Sequence, residues 1–277
     1  MYMAIDIGGT KTLIAVFGDE GQIIEQIKFL TPSDYTRFKD DLSDNVAKLS
    51  TKNFSTVVVA VPGRINRDTG KALAFGNLEW VNIPLEADIS EILNSDNIRI
   101  ENDAKLAALS EAILINDRFN KVLYLTISTG IGGGLVIDGR IDPNTKDMEP
   151  GQMLLEYEGR LKSWEDFASG KAFGNKFNML VGDTPEDRND AWYWLSRNIA
   201  IGLISLVANL NPDVIVIGGG AGAFLSRFKD RLDEQIKIYE SPMFSTPPIL
   251  EAKRPNEAVV YGCYELAKQH ENTTSSS

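Results

Sequence analysis

Met3-Ala4-Ile5-Asp6-Ile7-Gly8-Gly9-Thr10-Lys11, continued by the β-rich run Thr12 to Phe17, decides how this chain reads. An apolar run halts at paired glycines, and a second apolar run leaves the bend. Gly18-Asp19-Glu20-Gly21 then turns the chain into a third strand over Gln22 to Phe29. Strand, glycine bend, strand, Asp/Gly turn, strand is an antiparallel meander. The pattern returns in the second half. Lys121 to Ile127 stops at Ser128-Thr129-Gly130, Gly132 to Ile137 follows, and Asp138-Gly139 turns into Arg140-Ile141. Both copies set a small or hydroxyl-bearing residue and glycine at a bend between apolar strands, a coarse internal duplication.

Outward from the first meander, Asp34 to Leu49 has helical spacing, with Phe38, Leu42, Val46 and Leu49 on one face. Val57 to Val61 is a short buried strand ending at Pro62-Gly63. Ile83 to Leu93 reads as helix, Ile98 to Ile100 as strand and Ala104 to Leu114 as an Ala/Leu helix. This order predicts a layered α/β domain. After the second meander come a loop-rich stretch (Asp142 to Ser163), helices around Trp164 to Phe177 and a long helix from Trp192 to Leu210. The strand Val214 to Ile217 runs into Gly218-Gly219-Gly220-Ala221-Gly222, with helices over Phe224 to Ile238 and Asn256 to Lys268. The expected division is a smaller domain of residues 1–116 plus the C-terminal helix 256–270, a larger domain of residues 117–255, and a disordered polar tail, 271–277.

Composition narrows the chemistry. With 28 Lys plus Arg against 39 Asp plus Glu, the net charge is −11, which argues against nucleic acid or an anionic membrane as partner. Cys263 and His270 are the only residues of their types. An internal disulfide and a multi-Cys zinc site are thereby excluded, and acid–base work falls to carboxylates. The N-terminus has no basic region and no apolar stretch of signal-peptide length, so a cytoplasmic protein is expected.

Three bends gather glycine: Gly8-Gly9-Thr10-Lys11, Ser128-Thr129-Gly130 with Gly132-Gly133-Gly134, and Gly218-Gly219-Gly220-Ala221. Glycine at a bend exposes backbone N–H groups to an anion, and Thr10, Thr129 and Lys11 add donors. The third bend also reads as G-x-G-x-x-A, yet no second strand is expected near Glu240 to complete a dinucleotide site. The first lacks the spacing of a Walker A loop. Asp103 follows a short strand and precedes a helix, which sets it at the carboxyl edge of a sheet, where α/β ligands bind. It reads equally as a plain helix N-cap. Glu149 and Glu165, taken alone, read as solvated surface residues.

Together these residues form a pattern. Ala4 to Lys11, Val61-Pro62-Gly63, Gly76-Asn77-Leu78-Glu79-Trp80, Glu101-Asn102-Asp103-Ala104, Ser128 to Gly134, Glu165 to Gly170 and Asp213 to Gly220 resemble, in order, the motifs of the ROK family of repressors, open reading frames and sugar kinases. The resemblance implies a duplicated α/β architecture, actin-like and hexokinase-like with a ribonuclease H-like motif. It also implies transfer of phosphoryl from ATP, with Mg²⁺, to a sugar hydroxyl in a central cleft between two domains. Asp103 would be the base. Asp6 would orient Mg²⁺ through water, while Gly8, Gly9, Thr10 and Lys11, with Ser128, Thr129 and Gly130, would flank the phosphates. Gly218, Gly219, Gly220 and Ala221 would line the adenosine. Gly63, Asn77, Asn102, Asp103, Glu149, Gln152 and Glu165 would meet the sugar. A small-molecule sugar is then the expected partner, and a homodimer is common in the family.

Two departures bear on this. Family members have Gly-Glu-x-Gly-His where this chain has Met148-Glu149-Pro150-Gly151-Gln152, so an amide replaces the imidazole. The cysteine-rich zinc segment is absent, and Gly159 to Trp164 stands in its place without a thiol. The expected activity is a glucokinase-type hexose kinase acting on the 6-hydroxyl. An N-acetylhexosamine or fructose kinase is the alternative, and a non-catalytic sugar sensor is the alternative of another class. With the hairpin starting at residue 3, no DNA-binding segment is expected before it.

Overall fold

The computed structural model describes residues 1–274. In chain order the elements are β1 (Tyr2–Ile7), β2 (Lys11–Phe17), β3 (Ile23–Leu30), α1 (Tyr35–Ala47), β4 (Thr56–Val61), β5 (Gly63–Asn66), β6 (Lys71–Phe75), β7 (Val81–Ile83), α2 (Leu85–Leu93), β8 (Ile98–Asn102) and α3 (Asp103–Ile113). There follow β9 (Lys121–Ile127), β10 (Ile131–Ile137), β11 (Arg140–Ile141), β12 (Leu154–Tyr157), β13 (Arg160–Ser163), α4 (Trp164–Ala168), α5 (Gly170–Phe177), α6 (Asn189–Leu210), β14 (Val214–Gly218), α7 (Gly219–Gly222), α8 (Leu225–Lys237), β15 (Ile249–Glu251) and α9 (Ala258–Thr274).

The chain divides into two units, Met1–Ser110 with the chain from Asn256 onward, and Glu111–Pro255. The first crossing falls inside α3 rather than in a loop, so no turn residues mark it. Each unit is built on a five-stranded sheet, ordered β3-β2-β1-β4-β8 in the first and β11-β10-β9-β14-β15 in the second. In both, a meander of antiparallel strands is extended by two parallel strands. The duplication read from the glycine bends is thus a repeat of topology.

Alternation along β1 separates two layers of the first unit. Met3, Ile5 and Ile7 pack with Phe38 and Leu42 of α1 and Leu85 and Ile89 of α2. Tyr2 and Ala4 face the other way, with Val260 and Cys263 of α9 and Leu106 of α3. Cys263 is a buried core residue whose thiol burial pushes up, reinforced by the Asp6 and Glu101 charges. In the second unit the amphipathic α8 and the long α6 cover the sheet, with Trp192, Leu195, Phe228 and Leu232 buried between them.

Three features depart from expectation. The stretch after Pro62-Gly63 forms a small antiparallel sheet, β5-β6-β7, and the loop-rich stretch contains the hairpin β12–β13. The final helix runs on to Thr274, so residues 271–274 continue it instead of starting a disordered tail. The Tyr2 hydroxyl donates to Glu271 and ties this last turn to β1. Residues 275–277 lie outside the described residues. No helix among the described residues is long and apolar enough to cross a membrane.

Candidate active site

In the first unit β1 delivers Asp6 to the edge of the first bend. Asp6 pairs across with Leu13 on β2 and Ala60 on β4, and Ala60 pairs with Glu101 on β8. Burial pushes the Asp6 carboxyl up to about 7, the nearby Asp103 charge adds to the rise, and Lys28 opposes it. Two carboxylates therefore share one electrostatic neighbourhood, which is costly unless a cation or proton is present.

The bend itself is pinned from behind. Gly8 N–H donates to the Lys11 carbonyl at 3.0 Å and Thr31 N–H donates to the Thr10 carbonyl at 3.0 Å. The Thr31 hydroxyl donates to the Gly8 carbonyl at 2.8 Å and shares a 2.9 Å hydrogen bond with the buried Thr12. Thr10 and Lys11 are exposed. Gly9 packs against Asn77 so closely that a Cβ there would lie 2.6 Å from the Asn77 Cβ. Only glycine fits, and the bend and Asn77 meet directly. Asn77 is held by the small sheet. Gly76 N–H donates to the Pro62 carbonyl at 2.7 Å, and the Trp80 indole donates to Ser33 at 2.7 Å while packing on Phe38 and Phe75.

The junction of β8 and α3 removes the N-cap reading of Asp103. The cap is Asn102, whose Oδ1 accepts from Lys105 N–H at 3.2 Å, three residues on. Its Nδ2 donates to the Gly63 carbonyl at 2.9 Å, so this buried amide is used at both ends within the protein. Asp103 lies inside the first turn, half-buried, with Oδ1 accepting from Ala104 N–H at 2.8 Å.

In the second unit the Ser128-Thr129-Gly130 bend closes with Ser128 N–H donating to the Gly130 carbonyl at 2.9 Å. Gly170 N–H donates to the Ser128 carbonyl at 2.7 Å and ties the bend to α5. Glu165 is the hub behind it. One carboxylate oxygen accepts from Ile131 N–H at 3.1 Å and the other from the Gln152 amide at 2.6 Å. A Cβ on Gly130 would lie 2.6 Å from Glu165 Oε2, so a larger residue there would displace the carboxylate that braces the bend. Gln152 thus spends a donor on Glu165. Glu149 is exposed, and its carbonyl accepts from Gln152 N–H at 3.0 Å. The hairpin β12–β13 carries the loop that lacks thiols. Tyr157 stacks on Phe167 at 4.2 Å, and Lys162 lies over the Tyr157 ring. β14 ends at Gly218, and Gly219 turns the chain with φ +79 against Thr126 and Ile127 into α7. Gly220 is exposed and Ala221 buried.

Within the first unit the structure brings together Asp6, Gly8 to Lys11, Gly63, Asn77, Asn102 and Asp103. Within the second it groups Ser128 to Gly130, Gln152 and Glu165, with Gly218 to Ala221 against the base of the same bend. Sequence reasoning missed Thr31, which braces the first bend, and the Arg67–Glu101 ion pair beside Asn102. Neither carries a spacing signal. Among the described residues no group of three or more His, Cys, Asp or Glu gathers into a metal cluster.

The ROK family profile matches residues 2–270. An N-acetyl-D-glucosamine kinase of Haemophilus influenzae is 29% identical over 96% of this chain and 99% of its own length. An N-acetylmannosamine kinase of Vibrio cholerae is 28% identical over 87% of this chain and 92% of its own. Among solved structures, a ROK family glucokinase from Streptomyces griseus in complex with glucose and AMPPNP superposes with a TM-score of 0.81 at 22% identity, covering 97% of this chain and 99% of that one. A ROK hexokinase from Thermus thermophilus gives 0.80 at 24%, covering 98% and 99%. The repeated sheet order and these superpositions place the chain in the actin-like, hexokinase-like α/β fold. With the profile spanning nearly every residue, the chain belongs to the ROK family.

Proposed function

We propose that this chain is an ATP-dependent sugar kinase that transfers the γ-phosphoryl group to a hydroxyl of an N-acetylhexosamine, the 6-hydroxyl being the acceptor. The observation that carries the reaction is Asp103, half-buried in the first turn of α3 while Asn102 serves as the cap. A carboxylate at the start of this helix is of the chemical type that accepts the proton of an attacking hydroxyl. The sugar class rests on the kinases of N-acetylglucosamine and N-acetylmannosamine among the relatives. The glucokinase-type expectation has weaker support, because the likeness to the Streptomyces griseus glucokinase bears on the fold alone.

The donor set fits Mg²⁺. This ion takes one or two carboxylates plus substrate phosphates, and Asp6 is a carboxyl that burial and Asp103 keep hard to ionise without a cation. When bound, Mg²⁺ neutralises charge on the β- and γ-phosphates. The bends Gly8 to Lys11 and Ser128 to Gly130 each offer backbone N–H groups to phosphate oxygens, joined by Thr10, Lys11 and Thr129. Gly218 to Ala221 leave a bend without bulky side chains for the adenosine. Asn77, Glu149, Gln152 and Glu165 hold sugar hydroxyls, and Glu165 is oriented for this by Gln152 and Ile131 N–H. The hydroxyl oxygen bonds to the γ-phosphorus as its proton passes to Asp103. The bond from the γ-phosphorus to the bridging oxygen breaks, and ADP leaves.

The test is ADP release with Mg²⁺ and ATP over N-acetylglucosamine, N-acetylmannosamine, N-acetylgalactosamine, glucose and fructose. Release that depends on an N-acetylhexosamine supports the reading, and a preference for glucose returns the glucokinase type. Sugar-independent release, or none with any sugar, overturns the kinase.

A further inference from the structure

Arg67 sits in the turn between β5 and β6, a turn closed by Thr69 N–H donating to Asn66 Oδ1 at 3.1 Å. Its guanidinium grips the Glu101 carboxylate at two points, Nε to Oε2 at 2.8 Å and Nη2 to Oε1. Glu101 is only 6% exposed. Its Oε1 also accepts from Asn102 N–H at 2.7 Å, the backbone group just before Asp103. One carboxylate therefore joins a side chain of the small sheet to the backbone that carries the base.

The position of this grip matters. β8 is the edge strand of its sheet, so hydrogen-bonded pairing supports its C-terminal end from one side only, through Val61 opposite Asn102. Arg67 and the Asn102–Gly63 bond supply further support, and both come from the β5–β6–β7 sheet that also holds Asn77. Buried ion pairs add little net stability over an apolar pair of equal volume, but a two-point guanidinium–carboxylate contact fixes orientation. In phosphoryl transfer a misplacement of about 1 Å costs roughly 10²-fold in rate.

We propose that Arg67 and Glu101 are positioning residues for the phosphoryl-transfer reaction, a clamp that sets Asp103 in register with the sugar-binding sheet. This rests on the kinase reading above. Neither residue is assigned contact with substrate. Arg67 also lines a cavity of about 180 Å³ with Glu86, Arg99, Ile100, Glu101, Leu266 and His270, and that space can admit a small guanidinium ion.

The experiment measures wild type, Arg67→Ala, Arg67→Lys and Glu101→Gln at saturating sugar and ATP, with melting temperatures recorded for each. Arg67→Ala is expected to lower kcat by about 10- to 100-fold, with the KM for ATP unchanged. Millimolar methylguanidinium should restore part of the loss, and Arg67→Lys should fall between the two. Amide exchange over residues 102–105 should quicken in Arg67→Ala. Should that variant fail to fold, the near-isosteric Glu101→Gln carries the test, with the same selective loss in kcat expected. Unchanged kcat in a folded variant overturns the clamp, and so does a loss that tracks thermal unfolding without chemical rescue. A wild type that phosphorylates no sugar overturns the kinase reading and the clamp with it. An active wild type with an unimpaired Arg67→Ala overturns the clamp alone.

Discussion

The two glycine bends occupy the same place in the same topology and are built from different chemistry. In the first unit the last pair before the bend is Ile7 opposite Thr12, and in the second it is Ile127 opposite Ile131. One residue back stand Asp6 and Thr126, which are therefore counterparts. The first bend has four residues, is braced by threonine hydroxyls and has two carboxylates nearby. The second has three, is braced by Glu165 and α5, and carries a neutral hydroxyl in place of Asp6. Duplication supplied two glycine bends, the places that the proposed function assigns to phosphate. Differentiation left the candidate base and the candidate cation ligand on one copy, and a carboxylate backed by Gln152 on the other.

The largest expected effect is at Asp103. Asp103→Asn should cut turnover by about 10²–10⁴-fold while ATP binding persists, read by steady-state kinetics and nucleotide titration. Near-normal turnover would return Asp103 to a local role at the helix start. Next comes the counterpart pair. Asp6→Asn should lower kcat by about 10²-fold, as expected for losing an electrostatic partner of the transferring phosphoryl group. Thr126→Ala should cost less than about tenfold, the worth of one neutral hydrogen bond. Equal losses would erase the distinction between the two bends. Asp6→Asn should also raise the melting temperature of the metal-free protein at pH 8, because it removes a carboxylate that burial and Asp103 disfavour.

A smaller effect sharpens the second bend. Gln152→Ala should raise the sugar KM by about tenfold or less, through one lost hydrogen bond to Glu165, with the KM for ATP unchanged. A shift in the ATP KM instead would assign Gln152 to the phosphates. The smallest effect concerns His270, which lies in the first unit. Burial and then the Arg99 charge, 2.7 Å away, push its imidazole below the usual range. As pH falls the unfolded chain takes the proton first, so this contribution is present above the ordinary histidine range and lost below it. The melting temperature of wild type should therefore fall more steeply than that of His270→Gln from about pH 7.5 to about pH 5. Parallel profiles would remove this difference.

Both meanders, α1 with its buried Phe38 and Leu42, the strand β4 and the long α6 were legible because each carries its own periodicity. The small sheet was not. β7 has three residues and β5 four, too short for alternation to show, and their pairing is chosen by partners elsewhere in the chain. The hairpin β12–β13 did have a local signal. Glu158 and Gly159 both adopt positive φ, as a type I′ turn requires, but Glu-Gly is a weaker cue than Asn-Gly or Asp-Gly. The ion pair of Arg67 with Glu101 joins residues 34 positions apart and leaves no pattern at all.

By itself, then, the sequence determined that two similar strand–glycine–strand units exist, that the chain holds a single histidine, and that the carboxylates Asp6 and Asp103 stand at strand ends. Those features follow from local periodicity and inventory. Only the tertiary structure decided that Asn102 caps α3, that Gln152 serves Glu165, and that Glu101 ties Arg67 to the backbone just before Asp103. Hydrogen-bond partners are chosen by where the backbone brings each group, and adjacent residues as alike as Asn102 and Asp103 cannot be told apart before the helix has a beginning.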